Sequence, residues 1–288
     1  DQDYFSRTFA RAWFKLTHRD MGPKTRYIGP DLPKEDLIWQ DPVPEGNKNY
    51  DIEKVKQEIK CLNLSISQRV SVAWCSASSF RNSDLRGGAN GARIRLLPQI
   101  NWQSNEPDEL ALILPQYQKI SEKFDVSIAD IIVLAGNTAI EEAIELSGHK
   151  VNVPFKSGRG DASSQMTDEN SFASLEPIAD GFRNWVKEEV TANCEEYLLD
   201  KAHLLGLTAP QMTVLIGGMR VLEANYGNSS VGVLTNRPGK LSNDFFVNIL
   251  SMDYKWEKVE ANKFNLVSRH DNQIKWTASR FDLIFGSN

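Results

Sequence analysis

Histidine, cysteine and methionine are the side chains best suited to hold a transition metal or a haem iron, through imidazole, thiolate or thioether. The histidines are His18, His149, His203 and His270, and none lies three or four residues from another histidine or from a cysteine. That spacing builds no metal cluster, and each imidazole reads as a solvated or capping group. Cys61, Cys75 and Cys194 are odd in number and far apart, which argues against a disulfide framework and a zinc site and for a reducing compartment. Cys75 follows Trp74 in the apolar run VSVAWCSASSF, with no basic partner nearby in sequence, so it reads as a small buried hydrophobe. No Gly-x-Ser-x-Gly elbow supplies another nucleophile. In MTVLIGGMRVL, Met212 to Leu222, Gly217 and Gly218 each cost a helix about 1 kcal/mol against alanine, so something must approach that backbone closely. A flat cofactor and a crossing helix both qualify. Without a ligand residue on the same face, helix packing is the better reading, and Met219, whose thioether could ligate iron, reads as core.

The elements that must position these residues are mainly helical. Tyr4, Phe5, Phe9, Trp13 and Leu16 recur at helical spacing, predicting an amphipathic first helix with an aromatic face. From Gly22 to Asn49 five prolines (Pro23, Pro30, Pro33, Pro42 and Pro44) stand too close together for a long helix, so this is an extended connector. Ser65 with Gln68, Ser127 with Asp130, and Thr208 with Gln211 have capping-box spacing and predict three helix starts. After Ser171, the stripe Phe172, Leu175, Ile178, Phe182, Trp185 and Val190 predicts a long helix with a buried face. Period-two alternation is scarce, with its best case in Asp253 to Trp276, where YKWEKVE and NQIKWTA predict a short hairpin. The polar, glycine-containing runs Arg81 to Arg95 and Val153 to Gln165 read as surface connections, and the first lacks the spacing of a phosphate-binding loop.

Composition excludes several classes. The 288 residues are 41% hydrophobic and 25% charged, enough to bury a sizeable core. A net charge of -5 with interspersed signs makes nucleic acid and anionic membrane poor partners. No apolar run approaches the roughly 20 residues that span a bilayer, and no targeting signal is visible, which leaves a cytoplasmic location as the expectation. Asn63-Leu64-Ser65 and Asn228-Ser229-Ser230 fit a glycosylation pattern too short to carry weight.

The run HRDMGPKTRYIGPDLPKEDLIWQDPVP, from His18 to Pro44, resembles the junction between the two domains of catalase-peroxidases, members of the class I haem peroxidase superfamily. Further matching runs follow in order: VAWCSASSFRNSDLRGGANGARIRLLPQ, ADIIVLAGN, LEPIADGFRN, LTAPQMTVLIGGMRVL, LSNDFFVNIL and TASRFDLIFGSN. The resemblance implies that residues 1–22 end an N-terminal haem peroxidase domain, 23–49 link, and 50–288 form most of a haem-free, peroxidase-like C-terminal duplicate, with the chain cut at both ends. Active domains of the family read Arg-x-x-Trp-His on the distal side, and the corresponding run here is Ser71-Val72-Ala73-Trp74-Cys75, which keeps the tryptophan alone. The proximal Gly-Gly-His is here Gly217-Gly218-Met219; Leu241 falls at the partner tryptophan position, and Asp282 at the proximal aspartate, where it has no imidazole ligand to orient.

The resemblance further implies haem b bound by the N-terminal domain of the same chain, a homodimer, and a function in hydrogen peroxide decomposition and peroxidase turnover for the full-length enzyme. The fragment itself is expected to be a non-catalytic support. Arg19 matches the mobile arginine that swings toward the cross-linked tyrosine of the haem domain, where a cation favours the phenolate; an arginine pairing with a carboxylate at the junction is the plainer alternative. Two other functions stand beside this one: a weak peroxidase with haem on Met219 or Cys75, and an independent protein-interaction module.

Overall fold

The computed structural model describes all residues except Leu32, 189–193 and Asn288, together with the side chain of Thr25. The helices are α1 (Gln2–His18), α2 (Ile52–Lys60), α3 (Ile66–Ala77), α4 (Pro107–Phe124), α5 (Ile128–Glu145), α6 (Glu169–Phe172), α7 (Cys194–Leu204), α8 (Ala209–Val221), α9 (Asp244–Ile249) and α10 (Arg280–Gly286). Two small antiparallel sheets complete the order, β1 (Ala179–Asp180) with β2 (Trp185–Val186), and β3 (Tyr254–Glu260), β4 (Lys263–Ser268) and β5 (Ile274–Ser279). The architecture is mainly α, as the sequence pattern requires.

Helix starts follow their predicted chemistry. At α3, Gln68 N donates to Ser65 Oγ at 3.1 Å while Ser65 N donates to Gln68 Oε1 at 3.0 Å, satisfying two amides that the helix leaves open. At α8, Thr208 N donates to Gln211 Oε1 at 2.9 Å. At α5 only half the box forms: Ser127 Oγ accepts from Asp130 N, but the Asp130 carboxylate is taken by Tyr50 Oη at 2.8 Å, Gly158 N at 2.7 Å and Arg159 Nη1 at 3.0 Å. The first amides of α5, Ile128 N and Ala129 N, donate instead to Asp161.

Helix α5 is the central post. With α2 and α4 it buries one apolar cluster, to which α4 contributes Leu110, Ile113, Tyr117 and Ile120 at helical spacing. A second cluster joins α3, α7, α8, α9 and α10 through Val70, Leu198, Ile216, Met219, Phe245 and Phe281. Each of these large side chains contributes about 1.5–3 kcal/mol when fully buried.

Three expectations change. The stripe after Ser171 does not form one long helix: α6 ends at Phe172, and a 3-10 turn, β1, a second 3-10 turn at Gly181–Arg183, and β2 follow. Pro177 offers no amide and forces Glu176 into an extended conformation. Phe172, Leu175, Phe182 and Trp185 are still buried, Ile178 is exposed, and Val190 lies outside the described residues. The predicted hairpin is a three-stranded sheet of order β3-β4-β5, so its two proposed strands never pair with each other. The intervening KFNLVS was missed because its alternation breaks at Leu266-Val267, where the register with β5 shifts.

The two glycine-containing runs are not simple surface connections either. Arg86, Ala92, Arg93, Ile94, Gly160 and Ala162 are buried, with Arg86, Arg93 and Gly160 against the proline-rich connector and Ala92 and Ile94 in the apolar cluster. A Cβ at Gly160 would lie 1.8 Å from Pro44 O, so the two backbones touch where only glycine fits. Among its described residues the connector has no long helix, only 3-10 turns at Lys24–Arg26 and Ile38–Gln40. Asp41 anchors it through both oxygens to Arg86, at 2.6 and 2.9 Å.

Helix α1 is amphipathic as predicted, but Tyr4, Phe5, Phe9, Trp13 and Leu16 are all more than half exposed. Its attachment runs through Phe14, whose ring meets Trp39 edge-on at 5.5 Å and His18 at 4.3 Å. Among the described residues no helix is long and apolar enough to cross a membrane.

Candidate functional site

The candidate distal and proximal positions lie on α3 and α8, and the segment Ala179–Val186 runs between them. Trp74 Nε1 donates to Asp180 Oδ2 at 2.7 Å, and its ring lies 5.0 Å from that of Phe182. Cys75 is buried, and its Sγ donates to Ser104 O at 3.5 Å and accepts from Arg183 Nη1 at 2.9 Å. Arg183 is itself 1% exposed; it donates to Ser104 O at 2.7 Å and Ala224 O at 3.3 Å, and its Nη2 closes on Glu106. Burial pushes the Cys75 thiol up to about 11 against the opposing pull of Arg183, so the sulfur stays protonated at neutral pH. The expectation that Cys75 is core holds for its burial and misses its polar neighbours.

On the α8 side, Met219 sits in the apolar cluster with Phe182 and Phe245. Helix packing explains Gly217, where a Cβ would lie 2.4 Å from the Phe246 ring of α9, but not Gly218, where a Cβ would make only an ordinary contact, 3.7 Å from Leu241. Leu241 is half-buried against the same cluster, its amide donating to Ala143 O at 3.0 Å.

Asp282 has a structural task. Its Oδ1 accepts from Arg220 Nε at 2.7 Å with both side chains fully buried, and its Oδ2 accepts from Ser279 N and Oγ at 2.8 and 2.9 Å. Arg220 then donates to Phe182 O at 2.7 Å, Gly181 O at 3.0 Å and Asn225 Oδ1 at 3.0 Å, locking the intervening segment onto α8. Sequence reading passed over Arg183, Asp180, Glu106 and Arg220. For Asp180 and Arg183 the available signal was the run Ile178 to Arg183 (IADGFR), where an aspartate and an arginine interrupt apolar residues and a glycine.

A haem facing both α3 and α8 would have to lie where Phe182 and Arg183 are. The cavity beside Ser71, Cys75, Asn105, Glu106 and Asn225 measures about 20 Å³. That holds about one water, against at least 300 Å³ for an ordinary ligand site. The residues present do not fit the group. Among the described residues no three His, Cys, Asp or Glu side chains come together to hold a metal ion.

Arg19 stands apart from this bridge. It is half-buried in the turn after α1; its Nη2 donates to Ser171 Oγ of α6 at 2.7 Å, while its Nη1 is buried without a partner. His18 packs between Phe14 and Tyr27, with Nδ1 2.8 Å from Thr17 Oγ1, and His149, His203 and His270 are exposed.

Known proteins place this arrangement in a lineage. Residues 6–288 match the family described as Peroxidase. The chain is 60% identical over 288 residues to the catalase-peroxidases of Polynucleobacter asymbioticus and of Vibrio cholerae serotype O1, and 58% identical to catalase-peroxidase 1 of Vibrio parahaemolyticus. Each alignment covers 100% of this chain and 40% of the relative, so the chain spans about two fifths of the length of the curated relatives it matches. With the match running through α3, α8 and the segment that bridges them, the chain belongs to the peroxidase family.

Proposed function

We propose that this chain is the C-terminal part of a bifunctional catalase-peroxidase and serves it as a non-catalytic structural domain. Residues 1–22 complete the haem domain, 23–49 link, and 50–288 form the support. The observation that carries this reading is the filled space between α3 and α8, where Arg183 bridges Cys75, Ser104 and Glu106 and Arg220 bridges Asp282 to the same segment. Haem b then belongs to the haem domain, Ser71, Trp74, Cys75, Met219, Leu241 and Asp282 occupy former haem-site positions, and Arg19 is the residue that reaches the chemistry, by steering a cation toward a phenol. The exposed stripe Tyr4, Phe5, Phe9, Trp13 and Leu16 offers the apolar face that such a neighbour needs. In the whole enzyme we expect a homodimer acting on hydrogen peroxide in the cytoplasm.

Haemin titration of the purified chain tests the reading. We expect no stoichiometric uptake and no sharp Soret band; a one-to-one complex abolished by Met219→Leu or Cys75→Ala would overturn it.

A further inference from the structure

Four buried arginines are held by carboxylates, Arg69 by Glu142, Arg86 by Asp41, Arg183 by Glu106 and Arg220 by Asp282, while buried Arg93 is held by three neutral acceptors, Thr167 Oγ1, Pro42 O and Met166 O. Arg19 has a looser hold than either kind. Its hydrogen-bond partner is the neutral hydroxyl of Ser171, 152 positions away in the chain, and the other terminal nitrogen of the same guanidinium is buried without a partner. The hydroxyl itself stands on a rigid base. Ser171 N donates to Asp168 Oδ1 at 3.3 Å, its carbonyl accepts from Ser174 Oγ at 2.8 Å and Arg86 Nη1 at 3.4 Å, and the next residue, Phe172, has the guanidiniums of Arg86 and Arg93 over its ring at 4.9 and 5.0 Å.

The charged groups around Ser171 are therefore Arg86 with its partner Asp41, Arg93, and Asp168; Arg81 with Asp84 reaches the carbonyl of Ser174 one turn on. Among the described residues Arg19 is drawn in by one neutral acceptor, the Ser171 hydroxyl, while Arg86 donates to the carbonyl of the same residue. A guanidinium so held is docked in a defined direction without the deep well that an ion pair would give it.

We propose that Ser171 is a positioning residue for Arg19, a latch that holds the guanidinium against α6 and sets how often it is released. This rests on the reading of Arg19 given above. A hydroxyl-to-cation hydrogen bond shifts such an equilibrium by roughly tenfold. Removing it frees Arg19, and replacing it with a carboxylate traps Arg19.

The test uses the full-length catalase-peroxidase carrying Ser171→Ala, Ser171→Asp and Arg19→Ala separately, with haem content and melting temperature as checks of fold. Released more often, Arg19 favours phenolate, so the pH profile of catalase turnover in S171A is expected to move to lower pH, and its crystal structure to show Arg19 turned from α6. S171D is expected to lose catalase turnover toward the level of R19A, with Arg19 seen on the new carboxylate. If R19A alters the profile while S171A and S171D both superimpose on the parent enzyme, the latch is overturned and the role of Arg19 stands. If R19A leaves the profile unchanged, the role of Arg19 itself is overturned.

Discussion

Arg220 Nε and Asp282 Oδ1 meet at 2.7 Å in the interior, neither side chain reaching solvent. The pair ties α8 to the start of α10, and through Gly181 O and Phe182 O it fixes the segment that fills the space between α3 and α8. Breaking one side leaves an uncompensated buried charge, so Asp282→Ala or Arg220→Ala is expected to cost about 3–5 kcal/mol, while a hydrophobic replacement of both partners recovers only part of it, since Gly181 O and Phe182 O lose their donor. Urea unfolding of the two single variants and the double variant checks this. A double variant as unstable as the sum of the singles would contradict it.

Alkylation separates Cys61 from Cys75. Cys61 is exposed, and Cys75 is buried with its thiol held up to about 11. Iodoacetamide at pH 8 is expected to modify Cys61 in the native chain and Cys75 only after unfolding, as mass mapping of the labelled peptides would show.

The close contact at Gly217 predicts a packing defect. Gly217→Ala drives a methyl group into the Phe246 ring, at 2.4 Å before relaxation, and is expected to destabilise by about 1–3 kcal/mol. Phe246→Leu in the same chain should return part of that loss, measurable as non-additivity in thermal unfolding.

Acid stability has one identifiable contributor. Arg237 and Thr235 hold the Asp244 carboxyl at about 2, below its ordinary 3.8. A depressed folded-state value stabilises the native form above about pH 4, and that contribution fades as pH falls toward 2. With Arg237 half-exposed and solvent-screened, about 1 kcal/mol is at stake. Asp244→Asn should flatten this part of the stability profile between pH 4 and 2 and leave its shape at higher pH unchanged.

Much of this was legible before any coordinates. Reciprocal Ser-Gln and Thr-Gln caps mark α3 and α8 because the chemistry is local, complete within four residues. The doubled glycine of α8 announced a close approach, and the Phe246 ring supplies it at Gly217. What escaped was long-range. Nothing near Asp282 in sequence shows that Arg220 is its partner, 62 residues away, or that Arg183 crosses to Cys75, 108 residues away. The stripe after Ser171 misled because Phe172, Leu175, Phe182 and Trp185 are buried for reasons unrelated to helical period, and Pro177 outweighs the pattern.

The most direct test of the account is reconstitution: the separately made haem domain of a catalase-peroxidase, mixed with this chain, assayed for oxygen release from hydrogen peroxide. A supporting domain that acts by contact predicts little catalase turnover from the haem domain alone and recovery on addition of the chain, with no Soret band contributed by the chain. Equal turnover with and without the chain, or peroxidase activity from the chain loaded with haemin by itself, would contradict it.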